Sequence, residues 1–541
     1  MKKIISFIGI TIMILTLFII PTGCSGEKDQ SQLNEFTLGS STAYDTLNPL
    51  SSYMQVTYEF FQLTYDPLVR LDENYETTPC LAKDWSVSED NLTWTFNLKE
   101  GVKWHDGEPF TSADVKYTYD LMMKTGLGYM YNSYLTGIVD IQCPDDMTVV
   151  ITTDAPKANM LMNTTPILPE HILSGVKEEE LEAWANETPI GTGPFKFDSK
   201  GDNFVKIVKN DSYFGTGPNV NAFIFVNYEN TDALAQALML GEIDGATNLN
   251  PAQLEQLKAD KNIDVISGKE LGFMQIGVNS GTEVTSGRDP LLLDKKIKQA
   301  IELSINKQKI LDMVYSGQGT VGTTLINPGN FYHYEPTATE LRNYNPEAAK
   351  AMLETAGYKD TNGDGIREDT KGNKLEFELI TIADNVEEVK SGQLIAADCK
   401  AVGIGLNNVT MDSGALNDKI VAGDYDMFIW GWGADVDPTV ITAVLTTDQI
   451  GASNEPHFSN ARYDELFVKQ QQAMDKSARQ SLVFEMQKIV YEEAPYIILN
   501  YANNIQAIRS DRWTGYKQIP NDSLYFFNLT DDNYLNIKSR K

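Results

Sequence analysis

An α/β or α+β fold is what the sequence predicts, and three observations predict it. Helical patterns with legible caps alternate along the chain with short β-branched and aromatic runs. At 541 residues the chain exceeds one ordinary core, so two to four domains are expected. A hydrophobic content of 42% with 22% charged residues belongs to a folded chain, not a disordered one. Beyond the N-terminus there is no low-complexity linker, no repeat and no second long apolar run.

The elements follow in chain order. "LTWTFNL" (92–98) reads as a strand from its β-branched and aromatic content. "TSADVKYTYDLMM" opens a helix with Thr111 three residues before Asp114, a capping-box spacing. "NAFIFVNY" (221–228) is a strand, and "TDALAQALMLGEID" is a helix begun by a Thr-Asp cap and ended at Gly241. "DKKIKQAIELSINKQKI" places Ile297, Ala300, Ile301 and Ile305 on one helical face. "NPEAAKAMLETAGY" has Asn345 as cap, Pro346 in the first turn and Gly357 past the end. "LEFELITI" (375–382) and "YIILNYA" (496–502) read as strands, and "ARQSLVFEMQKIVYEE" aligns Leu482, Met486, Ile489 and Val490 as a helix. These stripes are core faces and carry no chemistry.

"MKKIISFIGITIMILTLFIIPTGCSG" is a targeting segment, with Lys2 and Lys3 ahead of an apolar stretch from Ile4 to Ile20. Its length and charged start read as a secretory leader, residues 1–24, rather than a permanent membrane span. The ending "PTGC" resembles the bacterial lipoprotein box, which makes Cys24 the lipidated first residue of the mature chain; Pro21 departs from the box's usual leucine-like residue. Residues 25–34 then form a flexible, polar tether. The expected localisation is extracytoplasmic, with the protein anchored to the cell membrane through lipid at Cys24.

Formal charge is −31, and losing Lys2 and Lys3 with the leader makes it more negative still. Nucleic acid is thereby excluded as a partner, and so is a docking face for anionic membrane, since both demand a basic surface. Cys80, Cys143 and Cys399 are an odd number with no zinc-like spacing. They read as buried free thiols, with a Cys80–Cys143 bridge left open.

Enzyme motifs are missing. His105, His171, His333 and His457 stand far apart, and there is no nucleophile elbow, phosphate loop or dinucleotide fingerprint. Asp435 and Asp437, two residues apart in "YDMFIWGWGADVDPTV", are a turn feature before they are a glycosidase pair. "DTNGDGIRED" is a better ion candidate. Asp360, Asn362 and Asp364 alternate as in a calcium loop, Gly365 allows the sharp turn, Ile366 stands where a backbone carbonyl serves, and Glu368 or Asp369 completes a shortened site. Position 12 is Lys371, not glutamate. A structural calcium and an Asp/Asn/Gly-rich surface turn are both open readings; no cofactor is required.

Five ordered stretches then resemble one family. They are "WSVSEDNLTWTFNLKEGVKWHDGEPFTSADV", "GTGPFKFDSKGDNFVKIVKNDSYFGTGPNV", "DPLLLDKKIKQAIELSINKQKI", "NPEAAKAMLETAGYKDTNGDGIRED" and "YDMFIWGWGADVDP". Together they look like the large solute-binding lipoproteins of bacterial peptide- and nickel-type ABC importers, extracellular solute-binding protein family 5. The resemblance runs from about Phe36 onward. It implies a two-lobed, periplasmic-binding-protein-like flytrap of α/β lobes with an extra subdomain inserted in the first lobe. The implied division is 35–57, 185–285 and 491–541 for the core of lobe I, 58–184 for the insertion and 286–490 for lobe II.

The resemblance also implies a monomeric, non-enzymatic protein that captures a peptide-like ligand between its lobes and delivers it to the membrane permease. The same fold binding an oligosaccharide or a metal chelate is the alternative; a glycosidase or metal-dependent hydrolase is the rival of another class. Oligopeptide and dipeptide binders pair the ligand's ammonium with the aspartate of a "GW-x-x-D" segment. Here that pattern falls on Gly431, Trp432 and Asp435, with Trp430, Gly433 and Ala434 beside them. An ungapped carry-over from Asn48 and Pro49 places the segment that pairs with the peptide strand at Tyr53, Met54 and Gln55. Two departures stand out. "VDP" follows Asp435 one residue tighter than in the oligopeptide binders. No arginine lies between Arg367 and Arg462, where dipeptide binders clamp the ligand carboxylate. A longer peptide held by its amine is therefore favoured over a clamped dipeptide.

Overall fold

The computed structural model describes residues 34–129, 131–282, 289–433, 436–519 and 530–540. The leader, Cys24 and residues 25–33 of the tether lie outside them.

One strand, Tyr496–Arg509, joins the architecture. Its first part pairs antiparallel with Phe273–Val278 and Gly319–Val321, and its second with Ile263–Lys269 and Gly245–Leu249. Only Glu270, Leu271 and Gly272 separate Ile263–Lys269 from Phe273–Val278, so the chain passes between the two strand groups there and again inside the long strand. The result is one twelve-stranded sheet made of two halves.

In the first half, Glu35–Ser40 runs parallel to Ala222–Asn227 and Gly245–Leu249, and the antiparallel strands Phe204–Lys209 and Phe195–Lys200 extend the edge. In the second half, Met427–Trp432 lies between Phe273–Val278 and Glu376–Ile382, with Gly405–Met411 outermost. A separate four-stranded antiparallel sheet is built from Ala82–Val87, Thr93–Leu98, Ile138–Asp145 and Thr148–Thr153.

Burial follows the period of each element. Along the long strand, Tyr496 and Ile498 enter one core with Phe273, Tyr463 and Met486, whereas Ile497 and Leu499 enter another with Ile297, Leu353 and Ile395. The four-stranded sheet has no core of its own. Trp94, Val149 and Ile151 share one apolar cluster with Phe36, Phe195 and Phe223 of the first half.

Capping is largely where the sequence places it. Helix Ser112–Thr125 carries the reciprocal Thr111–Asp114 box and ends at Gly126 with φ 72°. Asn345 caps Pro346–Thr355, and Gly357 follows with φ 96°. Two expectations are corrected. Helix Thr231–Leu240 is capped by Asn230, whose extended backbone lets its side chain accept from Ala233 N–H. The run 294–310 is two helices, Lys295–Ser304 and Lys307–Val314, because Asn306 caps the second through Lys309 N–H.

All three described cysteines are free. Cys80 lies 3.5 Å from Asp66 Oδ1, Cys143 is 3.2 Å from the Ser112 carbonyl and only half-buried, and Cys399 is 3.3 Å from Ser304 Oγ. Among the described residues, no helix is long and apolar enough to cross a membrane.

Candidate ligand-binding site

Strand Met427–Trp432 ends where the chain crosses between the halves. Phe273 stands opposite Trp432, Met274 opposite Gly431 and Gln275 opposite Trp430. The approach is tight enough to require glycine at 272, where a Cβ would come within 2.3 Å of the Trp432 carbonyl oxygen. At Gly431 a Cβ would meet the flexible Met274 side chain, with Sδ at 2.7 Å, whereas Gly433 is exposed and faces open space. Trp430 is half-buried and meets the Phe428 ring edge-on at 6.3 Å. Trp432 is half-buried against the core of Phe273 and Tyr496. Ala434 and Asp435 lie outside the described residues.

Next to Trp432 is a carboxylate that sequence reasoning missed. Glu455 Oε2 accepts from Trp432 Nε1 at 3.0 Å, from the Tyr496 hydroxyl at 2.8 Å and from Gln275 Nε2 at 3.4 Å. The Tyr425 hydroxyl donates to the Glu455 carbonyl and fixes the loop. Burial pushes the Glu455 carboxyl up to about 7, against the pull of those three hydrogen bonds. "SNEPHF" has no motif, so no local signal could have found it.

Asp437 has the structural role its position before Pro438 suggests. It caps helix Pro438–Ala443 by accepting from Thr439 N–H at 2.9 Å. Arg479 grips it with two bonds, 2.7 Å to Oδ2 and 2.9 Å to Oδ1, and also donates to Gln470 Oε1 and Thr439 Oγ1. The pair is buried and internally satisfied, so it anchors the chain just beyond Asp435.

At the rim, the four-stranded sheet's surroundings touch the second half. Ala158 N–H donates to the Gln471 carbonyl at 2.8 Å, and Lys476 Nζ lies 3.2 Å from Glu76 Oε1. Burial lowers Lys157 to about 8 even though Asp437 and Asp154 oppose the shift.

The carried-over segment at 53–55 straddles the start of a helix. Gln55 begins helix Gln55–Thr64, Met54 is its extended N-cap, and Tyr53 is 69% exposed. Helical backbone at Gln55 cannot offer a strand edge, and the ungapped carry-over misses that turn. Asp45 holds the loop by accepting from Tyr53 N–H, Thr46 N–H, Ser52 Oγ and Thr57 Oγ1. Burial works to raise its carboxyl, but those donors outweigh it and the net shift is downward.

In the acidic loop, one carboxylate oxygen each from Asp360, Asp364 and Glu368 lie within 4.8 Å of one another. Gly363 and Gly365 have φ 81° and 90°, which turn the loop around them. Asn362 Nδ2 donates to Glu368 Oε1, Ile366 N–H donates to Asp364 Oδ1, and Lys374 Nζ is 2.6 Å from Asp364 Oδ2. The oxygen set suits a hard cation; Lys374 supplies a competing positive charge.

Two α/β halves joined by paired crossings, with aromatic and carboxylate groups where a strand meets the crossing, define a binding protein that grips a solute between lobes. The chain belongs to the bacterial extracellular solute-binding proteins, family 5, whose model matches residues 76–451. It is 26% identical over 533 residues to the oligopeptide-binding protein AppA of Bacillus subtilis, covering 95% of this chain and 96% of that protein. It is 26% identical to the dipeptide-binding protein of Escherichia coli, over 84% of this chain and 86% of that one. The solved structure of AppA in complex with a nonapeptide superposes with a TM-score of 0.77 at 25% identity, over 94% of this chain and 99% of AppA. NikZ of Campylobacter jejuni in complex with Ni(L-His) shares the fold, with a TM-score of 0.77 at 22% identity over 93% of this chain and 99% of that one.

One pH effect follows from Glu455. The folded protein holds its proton more tightly than an unfolded glutamate does, so ionising it removes stability as pH rises from about 4.5 through about 7. Glu455→Gln cannot ionise. Its stability relative to wild type, read by urea denaturation, is expected to rise between pH 5 and pH 8 by up to about 3 kcal/mol. A difference that does not vary with pH contradicts the shift.

Proposed function

We propose that the protein is a non-enzymatic, lipid-anchored component of an ABC importer that captures peptides and presents them to the membrane permease. The observation that carries the reading is the "GW-x-x-D" run, whose Gly431 and Trp432 end the strand lying against the crossing between the halves. The relatives' names point the same way, one being an oligopeptide-binding protein and another a dipeptide-binding protein. A ligand touching both halves favours the closed form by the contacts it gains there, and the permease then reads shape rather than sequence.

In this reading Asp435 pairs with the peptide's terminal ammonium beside the Trp432 indole. A metal chelate is the second reading, supported by the Ni(L-His) complex of a protein of the same fold. Asp435→Asn keeps the shape and removes the charge, so it is expected to weaken peptide binding by about 1.5–3 kcal/mol in calorimetry. N-acetylated peptides binding as well as free ones would remove Asp435 as the anchor, and a metal chelate carried by the purified protein in native mass spectrometry would favour the second reading.

The acidic loop is proposed to take a structural calcium through Asp360, Asn362, Asp364, the Ile366 carbonyl and Glu368, displacing Lys374. Calcium is expected to raise the melting temperature of the wild type and not that of Asp364→Ala. An unchanged wild-type transition with and without calcium rules the site out.

Lipid at Cys24 is proposed to retain the mature protein at the outer face of the cell membrane. Cys24→Ser is expected to move it from the membrane fraction to the soluble fraction, and unchanged fractionation would refute the anchor.

A further inference from the structure

Gln275 and Glu455, joined by a hydrogen bond, each present an acceptor with no donor on it among the described residues. Gln275 is fully buried, and its amide oxygen has no hydrogen-bond partner among the described residues. Its orientation is set, because Nε2 donates to Glu455 Oε2 and a flipped amide would turn its oxygen toward the carboxylate. All three donors to Glu455 converge on Oε2. Oε1 takes no hydrogen bond among the described residues, and Glu455 as a whole is 8% exposed. No cation of the described chain pairs with it; its hydrogen-bond partners are an indole, a phenol and an amide.

The surroundings choose among donors. Trp430 stands opposite Gln275 in register and Trp432 donates directly to Glu455; both indoles are half-buried and so keep part of their surface open. An aliphatic side chain would leave both acceptors unmatched, and a hydroxyl would supply one proton. An ammonium or guanidinium supplies several, and its charge is favoured by the carboxylate and by an indole. The chain's charge of −31 favours the approach of such a group.

We propose that Glu455 is a specificity-determining residue: with Gln275 Oε1 it receives a basic side chain, lysine or arginine, on the first residue of a bound peptide. The first residue is named because Trp432, which donates to Glu455, lies three positions before Asp435, the proposed partner of the terminal ammonium. The inference rests on the peptide reading above.

The test compares dipeptides, pentapeptides and nonapeptides that differ only in a first residue of lysine or norleucine, titrated into the wild type and Glu455→Gln by calorimetry. The wild type is expected to bind the lysine peptides about tenfold more tightly than the norleucine ones. Glu455→Gln is expected to bind lysine and norleucine peptides with equal affinity, whatever its level, and a cooperative urea transition reports an intact fold. Equal wild-type affinities overturn the proposal without any variant, and so does a preference that survives in Glu455→Gln. Binding of none of these peptides removes the peptide reading itself, and this one with it.

Discussion

The hydrogen-bond ladder along Tyr496–Arg509 binds two sheets that would otherwise be separate. Because one strand is central to both, the halves are held side by side, its first partners giving way to its second between Ala502 and Asn503. An irregularity in the ladder lies just before that point. Pairing with Phe273–Val278 shifts register between Met274 and Gln275, opposite Asn500 and Ile498. A bulge of this kind bends a strand without ending it, which is what a hinge needs. Trp432 and Gly272 approach each other closely beside that bulge, so the end of strand Met427–Trp432 lies where the two halves are joined.

Buried charge is arranged in two ways. Asp437 is matched by Arg479, Glu302 by Lys307 and Arg342, and Asp66 by Arg70, each acid satisfied by cations of the chain itself. Such pairs fix geometry, and breaking one strands a charge in the interior. Glu455 differs, as do Glu59 and Glu388: burial pushes all three upward, and no cation of the described chain pairs with any of them. Of the three, only Glu455 is bonded to Trp432.

What the sequence could disclose follows the range of the interaction. Caps at Thr111 and Asn345 are legible because donor and acceptor are neighbours in the chain. Asn230 and Asn306 were misjudged for a related reason: each cap competes with adjacent residues of similar propensity, and the backbone angle decides. The "GW-x-x-D" run can be picked out because it is local, and the structure describes its Gly431 and Trp432 but not Asp435. At Gln55 the carry-over runs into helix Gln55–Thr64, whose onset no motif upstream fixes, whereas Met54 is extended. Glu455 was invisible, since its partners at 275, 432 and 496 come from three separate strands and meet only after folding.

The shared strand is also made after every strand that pairs with it. A nascent polypeptide that has not yet reached Tyr496 lacks the central member of both sheets, and neither half can complete its ladder. The order of synthesis thus leaves both halves open until one late strand closes them together.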